Sequence, residues 1–277
     1  MRSSTGWYPW SSRDRTYDAV VTSEQHYHIG FSRDDLPAGT RVALLSGDPG
    51  RSELVATTHL SQARELSRHR GLDSFVAELP SRRPVVCATS GMGAPSMSIV
   101  VNELVQVGIT TIIRIGTCGS IQDGLAPGAV VVAAASLSNQ GATGDIAPVG
   151  FPAAADPFLS VDLARAAEDL GIEHRVGVVA STDTFFEGQE RSASSANPSL
   201  LRRIQGQTDE YRDLGVLAYE MEAGTLFTMG LVYGFRAGCV LGVVAQRTRA
   251  ERPVLEAKAQ AVDNALRVAL AAAESYA

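Results

Sequence analysis

Cysteine is scarce in this 277-residue chain: Cys87, Cys118 and Cys239 lie far apart, each inside an apolar stretch. An odd number without ligand spacing argues against a disulfide framework or a cysteine metal site, and predicts buried thiols in a reducing cytoplasm. The five histidines (His26, His28, His59, His69, His174) also lack any H-x-x-x-H spacing. No apolar run approaches the ~18 residues of a membrane span, the longest clean stretch being 237–245. Residues 1–24 contain no apolar h-region, so no signal peptide is expected. Basic excess is missing as well. A net charge of −6 and a pI near 5.4 argue against a general nucleic-acid binder, while leaving room for a local arginine cluster around a small anion. No Gly-x-Ser-x-Gly elbow and no Ser-His-Asp arrangement occurs, which leaves covalent hydrolase chemistry little support.

What is present is apolar: 45% of the residues, at a mean hydropathy of +0.03, enough for a sizeable core. After a polar, aperiodic arm over residues 1–24, short β-branched runs begin at 42–46, 85–89, 110–116, 129–135, 176–181 and 237–244. Several are nearly all apolar, as strands covered on both faces must be. Helical spacing fills the intervals at 95–107, 160–170 (with Ser160 as N-cap) and 222–233, each followed by a glycine. A last helix places Leu255, Ala259, Val262, Leu266, Ala269 and Ala273 on one face. Strands alternating with helices, with no linker between them, predict one α/β domain over residues 25–277 around a central mixed β-sheet flanked by helices.

In such sheets ligands collect beyond the carboxyl ends of the strands. The first run leads into Gly47-Asp48-Pro49-Gly50-Arg51, which reads either as a plain turn with a solvated arginine or as an anion cradle at a helix start. The second feeds the glycine loop Ser90-Gly91-Met92-Gly93, whose spacing is neither a dinucleotide fingerprint nor a P-loop. Arg114 interrupts an otherwise apolar strand ahead of Gly116-Thr117 and requires a partner, either a structural carboxylate or a bound anion. Phe185-Phe186 followed by Gln189 and Arg191 reads as core phenylalanines under a surface loop, or as an apolar wall edged by an amide and a guanidinium. The latter suits a planar heterocycle with carbonyls and ring N–H groups. Glu220-Met221-Glu222 suggests hydroxyl ligation, metal binding or charge complementing a helix N-terminus, and no His or Asp cluster favours the metal.

Taken together these segments resemble the nucleoside phosphorylase-I family. The resemblance is carried by 89–99 with Glu103-Leu104, Gly47-Asp48-Pro49, Arg114-Ile115-Gly116-Thr117, 181–185, Gln189-Glu190-Arg191 and Glu220-Met221-Glu222, and runs from about His28 onward. Within the family the chain is most similar to bacterial uridine phosphorylases. In purine-specific members the last strand ends in Ser-Asp, where this chain has Gln246-Arg247. The resemblance implies an α/β/α fold and reversible phosphorolysis of uridine or a related pyrimidine nucleoside, with no organic cofactor. It implies phosphate contacts from Gly47, Arg51, Arg114 and Thr117, with Arg70 reaching in from a neighbouring subunit. Met221, Glu222 and Thr117 would hold the ribose, with His28 of a neighbour on the 5′-hydroxyl. Phe185, Gln189, Arg191 and Arg247 would hold the base. A cytoplasmic, dimer-based homohexamer is implied. Gly71 stands where relatives that bind a potassium ion carry Glu, so a monovalent cation is not expected. A purine phosphorylase or nucleosidase of the same fold, or a nucleoside-binding protein without turnover, are the competing readings.

Overall fold

A computed structural model of the chain describes residues 23–248 and 255–277, so nearly all of the expected N-terminal arm lies outside the described residues. The first half contains β1 (Val42–Ser46), α1 (Pro49–Leu54), β2 (Ser61–Ser67), β3 (Ser74–Glu78), β4 (Pro84–Thr89), α2 (Ala94–Gln106) and β5 (Thr111–Ser120). There follow β6 (Val130–Asn139), α3 (Gly141–Ile146), β7 (Ala153–Ala154), α4 (Pro157–Asp169) and β8 (His174–Thr182). The chain closes with α5 (Gln207–Asp213), β9 (Ala218–Glu220), α6 (Ala223–Tyr233), β10 (Arg236–Gln246) and α7 (Leu255–Ala273).

Among the described residues all ten strands belong to one mixed sheet, in the order β10-β6-β8-β9-β5-β1-β4-β3-β2, with β7 beside β6. Because β10 pairs with β5 as well as β6, five strands close into a ring from which β1, β4, β3 and β2 extend as a wing. All five residues of β1 are buried, and it runs parallel to both β4 and β5, which explains its unbroken apolar sequence. Helices α2 and α6 cover one face, where Met97, Leu104, Phe227 and Met229 pack with Leu45 and Leu241. Helices α4 and α7 cover the other, where Leu159, Leu163, Leu266 and Val268 pack with Leu44 and Ile113. This is the expected single α/β domain.

Several element boundaries differ from the expectation. Helix α4 begins at Pro157, capped by Asp156, whose side chain accepts from the Leu159 N–H at 2.9 Å. Ser160 lies inside the helix, its hydroxyl donating to the Asp156 carbonyl. Strand β5 runs on through Thr117, Cys118 and Gly119 to Ser120, past the run expected at 110–116. On α7 the buried line is Ala261, Ala265, Val268 and Ala272 together with Leu266, Ala269 and Ala273, while Ala259 is exposed and Val262 only partly covered. The Leu255 side chain lies outside the described residues. Strands β2 and β3 and helices α3 and α5 had no counterpart in the sequence reading.

Candidate active site

The carboxyl ends of β1, β5, β8, β9 and β10 meet around a cavity of about 480 Å³. Its walls include Gly47, Arg51, Arg114, Thr117, Phe185, Gln189, Arg191, Met221 and Glu222. These nine predicted residues arise from four separate stretches of the chain.

At one end, Asp48 caps α1 by accepting from the Gly50 N–H at 3.0 Å, which confirms the turn. Arg51 is not solvated, however. Its guanidinium is nearly buried and donates to the Ile115 carbonyl at 3.2 Å and the Ser46 hydroxyl at 3.3 Å. Burial pulls its pKa down while Asp48 pushes it back, and the nearby charge of Arg114 adds to the downward pull. Arg114 is 4% exposed. Its Nη2 donates to Glu222 Oε2 and its Nε lies 3.3 Å from Glu220 Oε2. Burial opposes its charge, but Glu222 and Glu220 together raise its pKa. A Cβ on Gly116 would lie 2.9 Å from Arg114 Nη2, so glycine there makes room for the guanidinium.

Glu220 and Glu222 therefore face an arginine and backbone N–H groups. Glu220 is fully enclosed and accepts from Glu222 N at 2.9 Å, from Ala223 N at 2.9 and 3.0 Å, and from the Ser181 hydroxyl. Burial raises its pKa against the pull of Arg114. Glu222 stands at the N-cap of α6 and its Oε1 accepts from Gly93 N–H at 2.6 Å. Gly93 sits at φ 84°, a conformation that suits glycine and aims this N–H at the carboxylate. Gln140, which the sequence reading passed over, locks the same turn. Its amide donates to the Met221 carbonyl at 2.6 Å and accepts from Thr225 N–H and hydroxyl, each at 2.9 Å.

At the other end, Phe185 is 43% exposed on the cavity wall, so it is not a core phenylalanine. The Arg191 guanidinium lies 4.1 Å from its ring centroid, and Phe186 meets the ring edge-on at 5.2 Å. Gln189 and Arg191 are 2% and 5% exposed. Arg191 Nε donates to Gln189 Oε1 at 3.1 Å, and Gln189 Nε2 donates to the Thr182 hydroxyl at 3.3 Å. Amide and guanidinium are thus held edge to edge beside an aromatic face.

Three predicted residues are not in the cavity wall. Arg247 stands behind it, its guanidinium 5.1 Å from the centroid of Tyr219, itself a wall residue. His28 and Arg70 lie together elsewhere on the surface, His28 edge-on to Tyr27 at 4.9 Å and Arg70 over the same ring at 5.7 Å. His28 is oriented by Glu103, whose carboxylate meets Nδ1 at 2.5 Å and accepts from the His28 and Ile29 N–H groups. In the sequence, Glu103 carries no signal beyond its place in a motif.

The geometry joins an anion-ready arginine pair, a carboxylate at a helix start and a heterocycle-sized polar edge. Known proteins are similar to this chain over most of its length. A uridine phosphorylase of Salmonella typhimurium is 41% identical over 247 residues, covering 89% of this chain and 96% of that protein. The uridine phosphorylase of Haemophilus influenzae is 38% identical over 90% of this chain and 97% of its own length. A guanosine phosphorylase of Halorubrum lacusprofundi is 31% identical over 73% of this chain and 77% of that protein. The Phosphorylase superfamily model matches residues 41–276, a span that takes in every wall of the cavity, and the chain belongs to that superfamily.

Proposed function

We infer that the chain is a uridine phosphorylase, a pentosyltransferase that splits uridine reversibly with inorganic phosphate into uracil and ribose 1-phosphate. One observation carries the reading: a single cavity holds two arginines at one end, the Glu222 carboxylate at a helix start in the middle and an amide–guanidinium pair beside a phenylalanine at the other. That sequence of chemistries matches phosphate, ribose and a planar base in the order in which the reaction needs them.

Phosphate lies against Gly47, Arg51, Arg114 and Thr117. These groups offset its lost hydration and hold it below the anomeric carbon, and orientation of this kind supplies up to ~7–11 kcal/mol. Glu222 accepts from the ribose 2′- and 3′-hydroxyls beside Met221. As the glycosidic bond breaks, the sugar gains positive charge and the electron pair moves onto the base. Gln189 and Arg191 donate to the base carbonyls, and these bonds strengthen as that negative charge grows, which lowers the barrier rather than merely tightening binding. Phe185 stacks on the ring, and Arg247 supports the base end from behind Tyr219. Phosphate is the nucleophile, so no covalent enzyme intermediate and no organic cofactor enter the scheme.

The pyrimidine preference rests on the Gln189–Arg191 edge and on the end of β10. There Gln246 donates to the Asp123 carbonyl at 2.6 Å and offers no acid to a purine. Because His28 and Arg70 share one surface patch away from their own cavity, we place them in a neighbour's site, the 5′-hydroxyl meeting His28 and phosphate meeting Arg70. A dimer is then the smallest competent unit, and a dimer-based hexamer in the cytoplasm is the assembly proposed. Three free buried cysteines suit that compartment.

The test is the product balance from uridine. Uracil and ribose 1-phosphate formed in equal amounts support the reading. Free ribose would make the protein a nucleosidase, and binding without cleavage would make it a nucleoside-binding protein.

A further inference from the structure

Between Gln189 and Arg191, both turned into the cavity, stands a side chain that turns away. Glu190 holds φ 49°, left-handed backbone that a residue with a Cβ adopts only when its surroundings enforce it. Its Oε1 accepts from the Gly206 N–H and its Oε2 from the Thr208 N–H, both at 2.6 Å. Gly206 is the N-cap of α5 and has no side-chain acceptor of its own, so a residue from the binding loop caps this helix. Helix α5 is in turn fixed to the body of the protein. Tyr211 is buried and its hydroxyl accepts from Asn139 at 2.8 Å, while the Thr208 hydroxyl lies 3.1 Å from that of Tyr219. A second tie runs from Gln207 Nε2 to the Gly188 carbonyl at 3.3 Å.

We propose that Glu190 is a positioning residue for base recognition: by gripping the first turn of α5 it holds the backbone reversal that turns both Gln189 and Arg191 inward. The inference rests on the reading of those two residues as the base-binding pair. The carboxylate touches no substrate. It acts through the backbone at position 190, which the Glu190 N–H also ties to the Glu187 carbonyl at 3.0 Å, and without it the left-handed conformation loses its side-chain restraint and the 3.1 Å contact between Gln189 and Arg191 loosens. The phosphate end, built on β1 and β5, shares none of these ties.

The test is steady-state kinetics on Glu190→Ala, Glu190→Gln and Glu190→Gly, with thermal midpoints measured alongside. Glu190→Ala is expected to raise the KM for uridine at least about tenfold, since a displacement of order 1 Å is costly at a hydrogen-bonded site, while the KM for phosphate stays within about twofold. Glu190→Gln keeps one acceptor and is expected to fall between. It also carries the test should the alanine variant fail to fold. Glu190→Gly relieves the backbone but not the lost carboxylate, and is expected to do no better than alanine. A lowered midpoint with an unchanged uridine KM would reduce Glu190 to a helix cap and overturn the proposal. So would an equal rise in both KM values, or full recovery in Glu190→Gly. The wild-type assay separates the two readings: if it cleaves a different nucleoside, the substrate assignment fails, and the same split in KM on that nucleoside decides the role of Glu190.

Discussion

At the residue scale the decisive group is Arg114, because one guanidinium both pairs with two buried carboxylates, Glu220 and Glu222, and lines the cavity. Arg114→Ala removes the cation from two buried carboxylates, so it should cost about 3–5 kcal/mol of stability. It should also abolish turnover at ordinary phosphate concentrations. Denaturant unfolding and phosphate titration together check this; wild-type phosphate affinity in the variant would remove Arg114 from the phosphate site. Gln189→Ala should reduce kcat/KM for uridine by about tenfold or more, through loss of a buried hydrogen-bonding edge, and should leave any residual purine cleavage unchanged. Equal losses on both substrates would make the loop merely structural. The need for an Arg114 partner was legible because a charge in an apolar strand must be answered. Which partner was not, since Glu222 lies 108 residues away and the β5–β9 register brings it there. Of the two alternatives weighed for Arg114, the structure shows the ion pair, and the anion site is the proposal.

At the scale of elements, the longer apolar strands were the readable ones. β1, β4, β5 and β10 are buried along nearly their whole length and β6 and β8 over part of it, and their apolar runs announce them. The wing strand β2 was not readable, because its sequence Ser61–Ser67 is mostly exposed and polar, and only pairing with β3 makes it a strand. Helix α5 is short and mostly polar, with Tyr211 its buried anchor, so it shows no periodic face. The N-cap of α4 was misplaced by four residues because Pro157 at the first helical position and Asp156 before it outweigh Ser160 as a start signal. Asp156→Ala should therefore lower stability by about 1 kcal/mol and leave kinetics untouched, α4 lying away from the cavity. A thermal midpoint with parallel kinetics checks this, and an unchanged midpoint would deny Asp156 the capping role.

At the scale of the whole molecule, a closed five-strand ring collects residues from distant parts of the chain into one cavity, while His28 and Arg70 stay outside it. Their distance from the cavity of their own chain could not be seen in the sequence, which carries no direct mark of quaternary structure. If each site is shared, Arg51→Ala and Arg70→Ala proteins should each be nearly inactive alone. Mixed and allowed to exchange subunits, they should regain activity at about a quarter of the sites, as random pairing in a two-fold dimer requires. No recovery on proven exchange would place all of the catalytic groups in one chain. Among the described residues no helix is long and apolar enough to cross a membrane.

The central claim is that this cavity passes a ribosyl group from a pyrimidine to phosphate. It is tested most directly by initial rates of base release from uridine and from inosine, each with and without inorganic phosphate. Uracil release is expected to depend on phosphate and to exceed hypoxanthine release. Faster cleavage of inosine would contradict the base assignment at Gln189 and Arg191, and uridine cleavage without phosphate would contradict the anion site built from Arg51 and Arg114.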